Sequence, residues 1–401
     1  MEFNHRGIIK RILQDHFGGF WSFHANRFPA SYRQDIEETV QKALRCGTKD
    51  MGYIRYECLG CPHGTKPVFV CFSCKSRFCN KCGKKYTDEW ATKQQELVLD
   101  VPHRHMVFTV PEELRNVFFE DRYKMQELSR LVADVFEYYY ANRNKKLQIT
   151  PGIVTVIHTF GRDLKFNPHI HVLVTEGGMD QYNEWRSLTF ISYEFLRKSW
   201  QKIVLDAMKR WFPENPKVQA LINQLYRRYP KGFYVNAEKK MNNAKSAAKY
   251  IGRYLARPAI AEYRVQGYDR TNVTFWYEDH KSGKKVVVKQ SVYRFIYNLL
   301  QHIPPKHFRM VGRFGLYSRR RYGKASQAMR LYAFVRTKQI EMIFQRVKRK
   351  KTYRQRIMES FGQDPFWCPN CQQTMELVEI IHPDHGLMYH YMMDAKTICK
   401  T

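Results

Sequence analysis

The sequence predicts an α+β protein of several domains. Three observations predict it: apolar residues at helical spacing near the N-terminus, strand-like runs separated by longer helical segments, and cysteines gathered in two places. At 401 residues the chain is too long for one small module. The expected division is N-terminal helices and a cysteine-rich metal domain over 1–100, a sheet-containing domain over 101–325, a basic helical segment over 326–361 and a small C-terminal metal-binding element over 362–401.

The elements follow in order. Residues 5–17 and 31–45 carry Ile8, Ile9, Ile12 and Leu13, then Ile36, Val40 and Leu44, at helical spacing. The cysteine segment runs to about 83, and a helix over about 87–99 leads out of it. His103 to Val110 reads as a strand, Pro111-Glu112-Glu113 as a helical turn and 121–146 as one long helix. Gly152 to Phe160 and Pro168 to Thr175 read as strands joined by the polar turn 161–167, the second stopped by Gly177-Gly178. Helices are expected over 192–212 and 215–228, a short strand over 232–236, and a helix from about 242 to 256 that Pro258 ends. Strands at 273–278 and 285–289 flank Gly283, 291–301 is helical, and 343–356 is a charged helix. Gly362-Gln363-Asp364-Pro365 reads as a linker.

Charge points to the partner. There are 68 Lys and Arg against 37 Asp and Glu, a net charge of +31, which attracts polyanions, with nucleic acid foremost. With 44% apolar and 15% aromatic residues the chain is a folding one, not a disordered tail. It has no run of 18 apolar residues and no signal-peptide core at Met1 to Arg6, so no membrane partner is expected. The expected location is cytoplasmic.

In such a reducing compartment cysteines favour metal over disulfides. Cys46, Cys58, Cys61, Cys71, Cys74, Cys79 and Cys82 form one cluster, Cys368 and Cys371 a second, and Cys399 stands alone. Each C-x-x-C puts two thiolates on one turn, and two such turns close a Zn²⁺ tetrahedron. Cys58, Cys61, Cys79 and Cys82 are the simplest quartet, with Cys46, His63, Cys71 and Cys74 available for a second ion. Cys368 and Cys371 have His382, His385, His390 and Cys399 as candidate partners.

His169-Ile170-His171 lies in a strand-like run, so period two sets both imidazoles on one face. His158 lies on the preceding strand, across the turn. Three histidine ligands leave positions open for a phosphate oxygen, although an H-x-H by itself is also common among half-buried histidines. Tyr250 and Tyr254, at i and i+4, share a face of the helix read over 242–256, amid Lys245, Lys249 and Arg253. Neighbouring cations favour the phenolate, which can attack phosphorus. In a chain with 26 tyrosines, such a pair also suits a core.

Taken in order, the pieces resemble a known family. The cysteine cluster precedes His105-Met106-Val107-Phe108-Thr109-Val110-Pro111, then His158-Thr159-Phe160-Gly161 and Asn167-Pro168-His169-Ile170-His171. Lys249-Tyr250-Ile251-Gly252-Arg253-Tyr254-Leu255-Ala256-Arg257-Pro258 follows, then Val273-Thr274-Phe275 and His302-Ile303-Pro304, before Phe308 and Arg313. This order resembles the rolling-circle insertion-sequence transposases with an N-terminal zinc-binding domain, in the two-tyrosine branch of the HUH (His-hydrophobic-His) nucleases. The resemblance spans about 40–320, and the C-terminal Cys-Pro-x-Cys also fits.

The resemblance implies a ferredoxin-like antiparallel sheet with helical insertions. It implies His169 and His171 as ligands of Mg²⁺ or Mn²⁺, with His158 inferred as the third from its strand position, and Tyr250 and Tyr254 as nucleophiles. Asn167 stands where many relatives carry another histidine. The implied activity nicks and rejoins single-stranded transposon ends and target through a 5′-phosphotyrosine, leaving a 3′-OH for host replication machinery. Lys245, Lys249, Arg253, Arg257, Arg319, Arg320 and Arg321 are the expected DNA contacts, with Phe314, Tyr317 and Tyr322 to stack on bases. A plasmid or phage replication initiator would use the same chemistry. A non-enzymatic zinc-containing DNA-binding protein would need neither the histidines nor the tyrosines.

Overall fold

A computed structural model describes residues 7–61, 66–83, 97–143, 145–188, 191–241, 258–279, 282–327, 354–355, 358, 364, 366–368 and 370–392. Along the chain come α1 (Ile8–His24), α2 (Ala30–Arg45), β1 (Tyr53–Glu57), β2 (Val68–Cys71), β3 (His103–Thr109), α3 (Arg115–Glu120), α4 (Tyr123–Arg143), β4 (Thr150–Phe160) and β5 (Phe166–Met179). Then follow β6 (Trp185–Ser187), α5 (Tyr193–Trp211), α6 (Pro216–Arg228), β7 (Val235–Met241), β8 (Val265–Tyr268), β9 (Asn272–Glu278), β10 (Lys285–Ser291), α7 (Val292–Leu300), β11 (Val311–Gly315), β12 (Glu376–His382) and β13 (Gly386–His390). The chain divides into two compact units, one of residues 1–38 with 83–339, the other of residues 39–82 with 340–401. The sequence reading had set the two cysteine regions apart; here they share the second unit.

The first unit is built on a six-stranded antiparallel sheet of order β11-β4-β5-β3-β7, with β6 paired to β5. Between β3 and β4 the chain makes α3 and α4, and between β5 and β7 it makes α5 and α6. The run β3-α-β4-β5-α-β7, in the spatial order β7-β3-β5-β4, is the split βαβ arrangement of ferredoxin-like folds, extended by β11 at the β4 edge. The class is α+β, as the sequence predicts.

Strand alternation divides the sheet into two chemically different faces. Met106 and Phe108, Ile153 and Ile157, and Ile170, Val172 and Val174 point to one face and join the main core with Leu128, Val132 and Phe136 of α4 and Trp200 and Val204 of α5. On that face Ser129 and Thr155 satisfy each other by a hydroxyl–hydroxyl bond of 2.6 Å. By register, the opposite face carries the histidines. One end of that face is closed by a smaller cluster of Val98, Leu99, Val101, Val154, Val156, Leu173, Leu316 and Tyr317. Helix starts are capped where the sequence offers donors' partners: Ser192 accepts from the Phe195 amide, and Asn215, before Pro216, accepts from Lys217 and Val218. A three-stranded sheet, β10-β9-β8, carries α7, and Phe20 of α1 meets Tyr293 of α7 edge-on at 5.7 Å.

β1, β2, β6, β8, β11, β12 and β13 were not read from the sequence, and β5 and β7 differ from expectation in their bounds. Gly177-Gly178 does not stop β5, which runs on to Met179. Gly177 has φ +147, and a Cβ on Gly178 would lie 2.3 Å from the Thr150 carbonyl oxygen, so the missing side chains let β4 and β6 close in on both sides. β7 begins three residues later than the strand read from 232 and reaches Met241, because its partner β3 extends its ladder that far. The expected helices over 87–99, 242–256 and 343–356, and the linker 362–365, lie wholly or mostly outside the described residues. Among the described residues no helix is long and apolar enough to cross a membrane.

Trp200 tests how far the helix layer holds the sheet. It is fully buried, meets Phe108 edge-on at 5.5 Å and donates its indole N–H to the Thr109 carbonyl at 3.0 Å. Trp200→Ala should cost about 3–5 kcal/mol of stability, read as a lower urea midpoint; a midpoint equal to wild type would show that α5 does not brace β3.

Candidate metal centre and cysteine clusters

The β4–β5 hairpin sets three imidazoles together. His158 lies directly opposite His169 in the antiparallel register, and His171, two residues on, shares the face, while Ile170 turns into the core. Their ligand nitrogens all lie within 4.8 Å of one another. His169 Nε2 and His171 Nε2 are 3.1 Å apart.

Hydrogen bonds set the tautomers. His169 donates Nδ1–H to the Asn167 carbonyl at 2.7 Å, which leaves its Nε2 with the lone pair. His171 Nδ1 faces Nε2 of His105 on β3 at 2.9 Å, with the two rings stacked at 15°. When His171 donates across that contact, its Nε2 is also a bare lone pair. Two such lone pairs at 3.1 Å repel unless a cation or proton lies between them. Burial favours the neutral rings. Desolvation pulls His169 down to about 4 and holds His171 well below the usual histidine range, with neighbouring imidazoles adding to the effect on His171. Neutral imidazole is the form that binds metal, so the set suits a divalent ion with coordination positions left open.

His105 is the residue that sequence reading passed over. It is fully buried and acts on His171, as groups behind metal ligands do. Its signal was present in alternation along β3: Val107 pairs with His171, so His105 falls on the same face, one diagonal away. His103 lies on that face too but is used structurally. It donates Nδ1–H to the Val101 carbonyl and accepts from the Tyr317 hydroxyl at 2.6 Å.

That bond corrects one expectation. Tyr317 is 4% exposed, its hydroxyl also accepts the Leu99 amide, and burial raises its pKa; it is a core residue and not a stacking platform. Phe314 packs against the main core. Arg319, Arg320 and Arg321 are exposed on the helical turn after β11. A cavity of about 210 Å³ opens beside them, lined by Val154, Arg313, Tyr317, Arg319 and Tyr322. Tyr250, Tyr254, Lys245, Lys249, Arg253, Arg257, His63 and Cys399 lie outside the described residues.

The cysteines group differently from the expected quartet. Cys46, Cys74, Cys79 and Cys82 form one set and Cys58, Cys61, Cys368 and Cys371 another, each with its sulfurs within 4.8 Å. Cys71 is in neither, and His382 stacks on His385 instead of joining Cys368 and Cys371. The cause is the sheet of the second unit, order β13-β12-β1-β2. Tyr53 pairs with Cys71 at the β1–β2 end that lies next to Cys46 and Cys74, while Cys58 follows the other end of β1. In the first set, Cys46 and Cys82 are 3.5 Å apart, and S–H groups of Cys74 and Cys79 hold the Cys46 thiol down to about 6. Such a set stabilises thiolate and offers a closed tetrahedron, with no position for substrate.

The chain matches two family models: "Transposase zinc-binding domain" over residues 12–110 and "Putative transposase" over residues 152–325. It is 35% identical over 305 residues to the transposase for insertion sequence element IS801 of Pseudomonas savastanoi pv. phaseolicola, covering 73% of this chain and 72% of that protein. It is 26% identical over 328 residues to "Putative transposase y4qJ" of Sinorhizobium fredii (strain NBRC 101917 / NGR234), covering 77% of this chain and 81% of that protein. No solved structure matches significantly.

If His105 positions His171, His105→Ala should weaken Mn²⁺ binding about 10- to 100-fold, read by titration calorimetry, with circular dichroism unchanged. An unaltered Mn²⁺ affinity would reduce His105 to a packing residue.

Proposed function

The chain belongs to the insertion-sequence transposases of the IS91 and IS801 type, and from that premise we propose that it cuts and rejoins single-stranded DNA through a 5′-phosphotyrosine, in rolling-circle transposition. The observation that carries this reading is the convergence of His158, His169 and His171 on the sheet face opposite α4 and α5. DNA is the substrate of a transposase, and the +31 charge suits it. The zinc-binding domain supplies a closed thiolate site, so the chemistry falls to the imidazoles.

His158, His169 and His171 would hold Mg²⁺ or Mn²⁺, which supplies positive charge at the scissile phosphate and fixes its orientation. Of the two, an imidazole set favours Mn²⁺. The proposed nucleophiles are Tyr250 and Tyr254. A phenol oxygen attacks phosphorus, the bond from phosphorus to the 3′-oxygen breaks, and the phenolic proton ends on that oxygen. The products are a tyrosine-linked 5′-phosphate and a free 3′-OH. The link keeps the energy of the phosphodiester, so rejoining needs no ATP, and the 3′-OH can prime host replication. A second tyrosine allows a second cut while the first link is held. Lys245, Lys249, Arg253 and Arg257 surround the tyrosines in sequence, and exposed Arg319, Arg320 and Arg321 would engage phosphates.

Two variants test the reading. His169→Ala with His171→Ala should abolish nicking of a single-stranded oligonucleotide in Mn²⁺ while DNA affinity at fixed salt stays near wild type, because the dispersed positive charge supplies most of it. Affinity falling in step with cleavage would make these histidines structural.

With Tyr250→Phe and Tyr254→Phe together, the covalent protein–DNA adduct on a denaturing gel should vanish with the fold intact. Each single change should leave some nicking but impair complete transposition. An adduct from the double variant would place the nucleophile elsewhere.

A further inference from the structure

We propose that Cys58, Cys61, Cys368 and Cys371 hold a second zinc ion, separate from that of Cys46, Cys74, Cys79 and Cys82, and that it clasps the two ends of the chain into one zinc module. This inference is independent of the nuclease reading, because it concerns metal and not cleavage.

The geometry begins with register. β1 pairs antiparallel with β12, and Glu57 at the end of β1 lies opposite Glu376 at the start of β12. The residue after the first is Cys58, and the segment before the second is a tight hairpin. There Met375 donates its amide to the Phe366 carbonyl at 2.7 Å, and Trp367 bridges to Thr374. Inside it the Cys368 amide donates to the Gln373 carbonyl and the Gln372 amide returns to the Cys368 carbonyl, so the chain doubles back between the two cysteines. Phe366, 5% exposed, lays its ring 4.2 Å from that of Tyr56 on β1 and fixes the hairpin against the strand.

The sulfurs then converge. Cys58 and Cys371 are 3.3 Å apart across 313 residues of chain, and all four sulfurs lie within 4.8 Å. The surroundings are those of a thiolate knuckle. Backbone N–H groups of Cys371 and Asn370 point at the Cys368 sulfur, and Cys368 itself is fully buried. Four sulfurs around one point with amide donors behind them fit Zn²⁺. The Cys46 set lies at the opposite end of the β1–β2 ladder, so one ion cannot serve both. Two of the four strands in this sheet, and two of the four ligands of this site, come from residues after 340.

The test is zinc stoichiometry on the full chain, purified under reducing conditions and read by atomic absorption. Wild type should hold two Zn per chain. Cys368→Ser with Cys371→Ser should hold one, Cys58→Ser with Cys61→Ser should hold one, and the four changes together should still hold one. One Zn in wild type, or two retained after loss of Cys368 and Cys371, overturns the proposal, as does a quadruple variant with none. Should a variant fail to fold, Co²⁺ titration of the unaltered chain decides. Two equivalents should give the intense absorption of tetrahedral thiolate cobalt, and saturation at one refutes the second site.

Discussion

The pairing of β4 with β5 is the constraint on which the histidine cluster depends. It sets His158 opposite His169, and the period of two then commits Ile153, Ile157, Ile170, Val172 and Val174 to the helices. A slip of one residue would drive the imidazoles into an apolar core and turn that apolar set to the other face. The apolar burial that stabilises the sheet therefore also orients the ligands. α4 and α5 pack on the sheet face opposite the three histidines, and they supply the packing that makes the other register costly.

Two kinds of candidate metal site lie in different units. Each cysteine set supplies four sulfurs, enough to close a tetrahedron around Zn²⁺ and leave no position for substrate. The histidine set offers buried, neutral nitrogens on one face of the sheet; the Asn167 carbonyl fixes the tautomer of His169, and His105 pairs with His171. A substitution in one place need not disturb the metal in the other, since no ligand is shared.

Local pattern carried most of the described helices and the central strands, and left β1, β2, β6, β8, β11, β12 and β13 unread. Alternation in GIVTVIHTF and PHIHVLVT revealed the central hairpin, and the spacing of Ile8, Ile9, Ile12 and Leu13 revealed α1. His158, His169 and His171 were legible because strand neighbours are also near in sequence. What escaped was non-local. Nothing near Cys58 says that Cys371 is its neighbour, because that proximity comes from the ladder between β1 and β12. Simple proximity in sequence instead favoured Cys79 and Cys82. His105 escaped for a similar reason, since its place beside His171 follows from the pairing of β3 with β5. Tyr317 was misjudged because an aromatic among arginines looks the same whether it faces solvent or, as here, donates to a buried histidine.

The composite sheet also sets a schedule for biosynthesis. β1 and β2 leave the ribosome early, but their partner β12 and the cysteines opposite Cys58 arrive about 300 residues later. At about 5–20 residues per second the nascent chain waits roughly 15–60 s for them. During that interval the Cys46 set is complete and the Cys58 set is half made, with one edge of β1 unpaired. A product cut short before residue 368 would keep the histidine sheet but never finish this sheet. An exposed strand edge and two unclaimed thiols are features by which a cell's quality control can tell an unfinished copy from a full-length one.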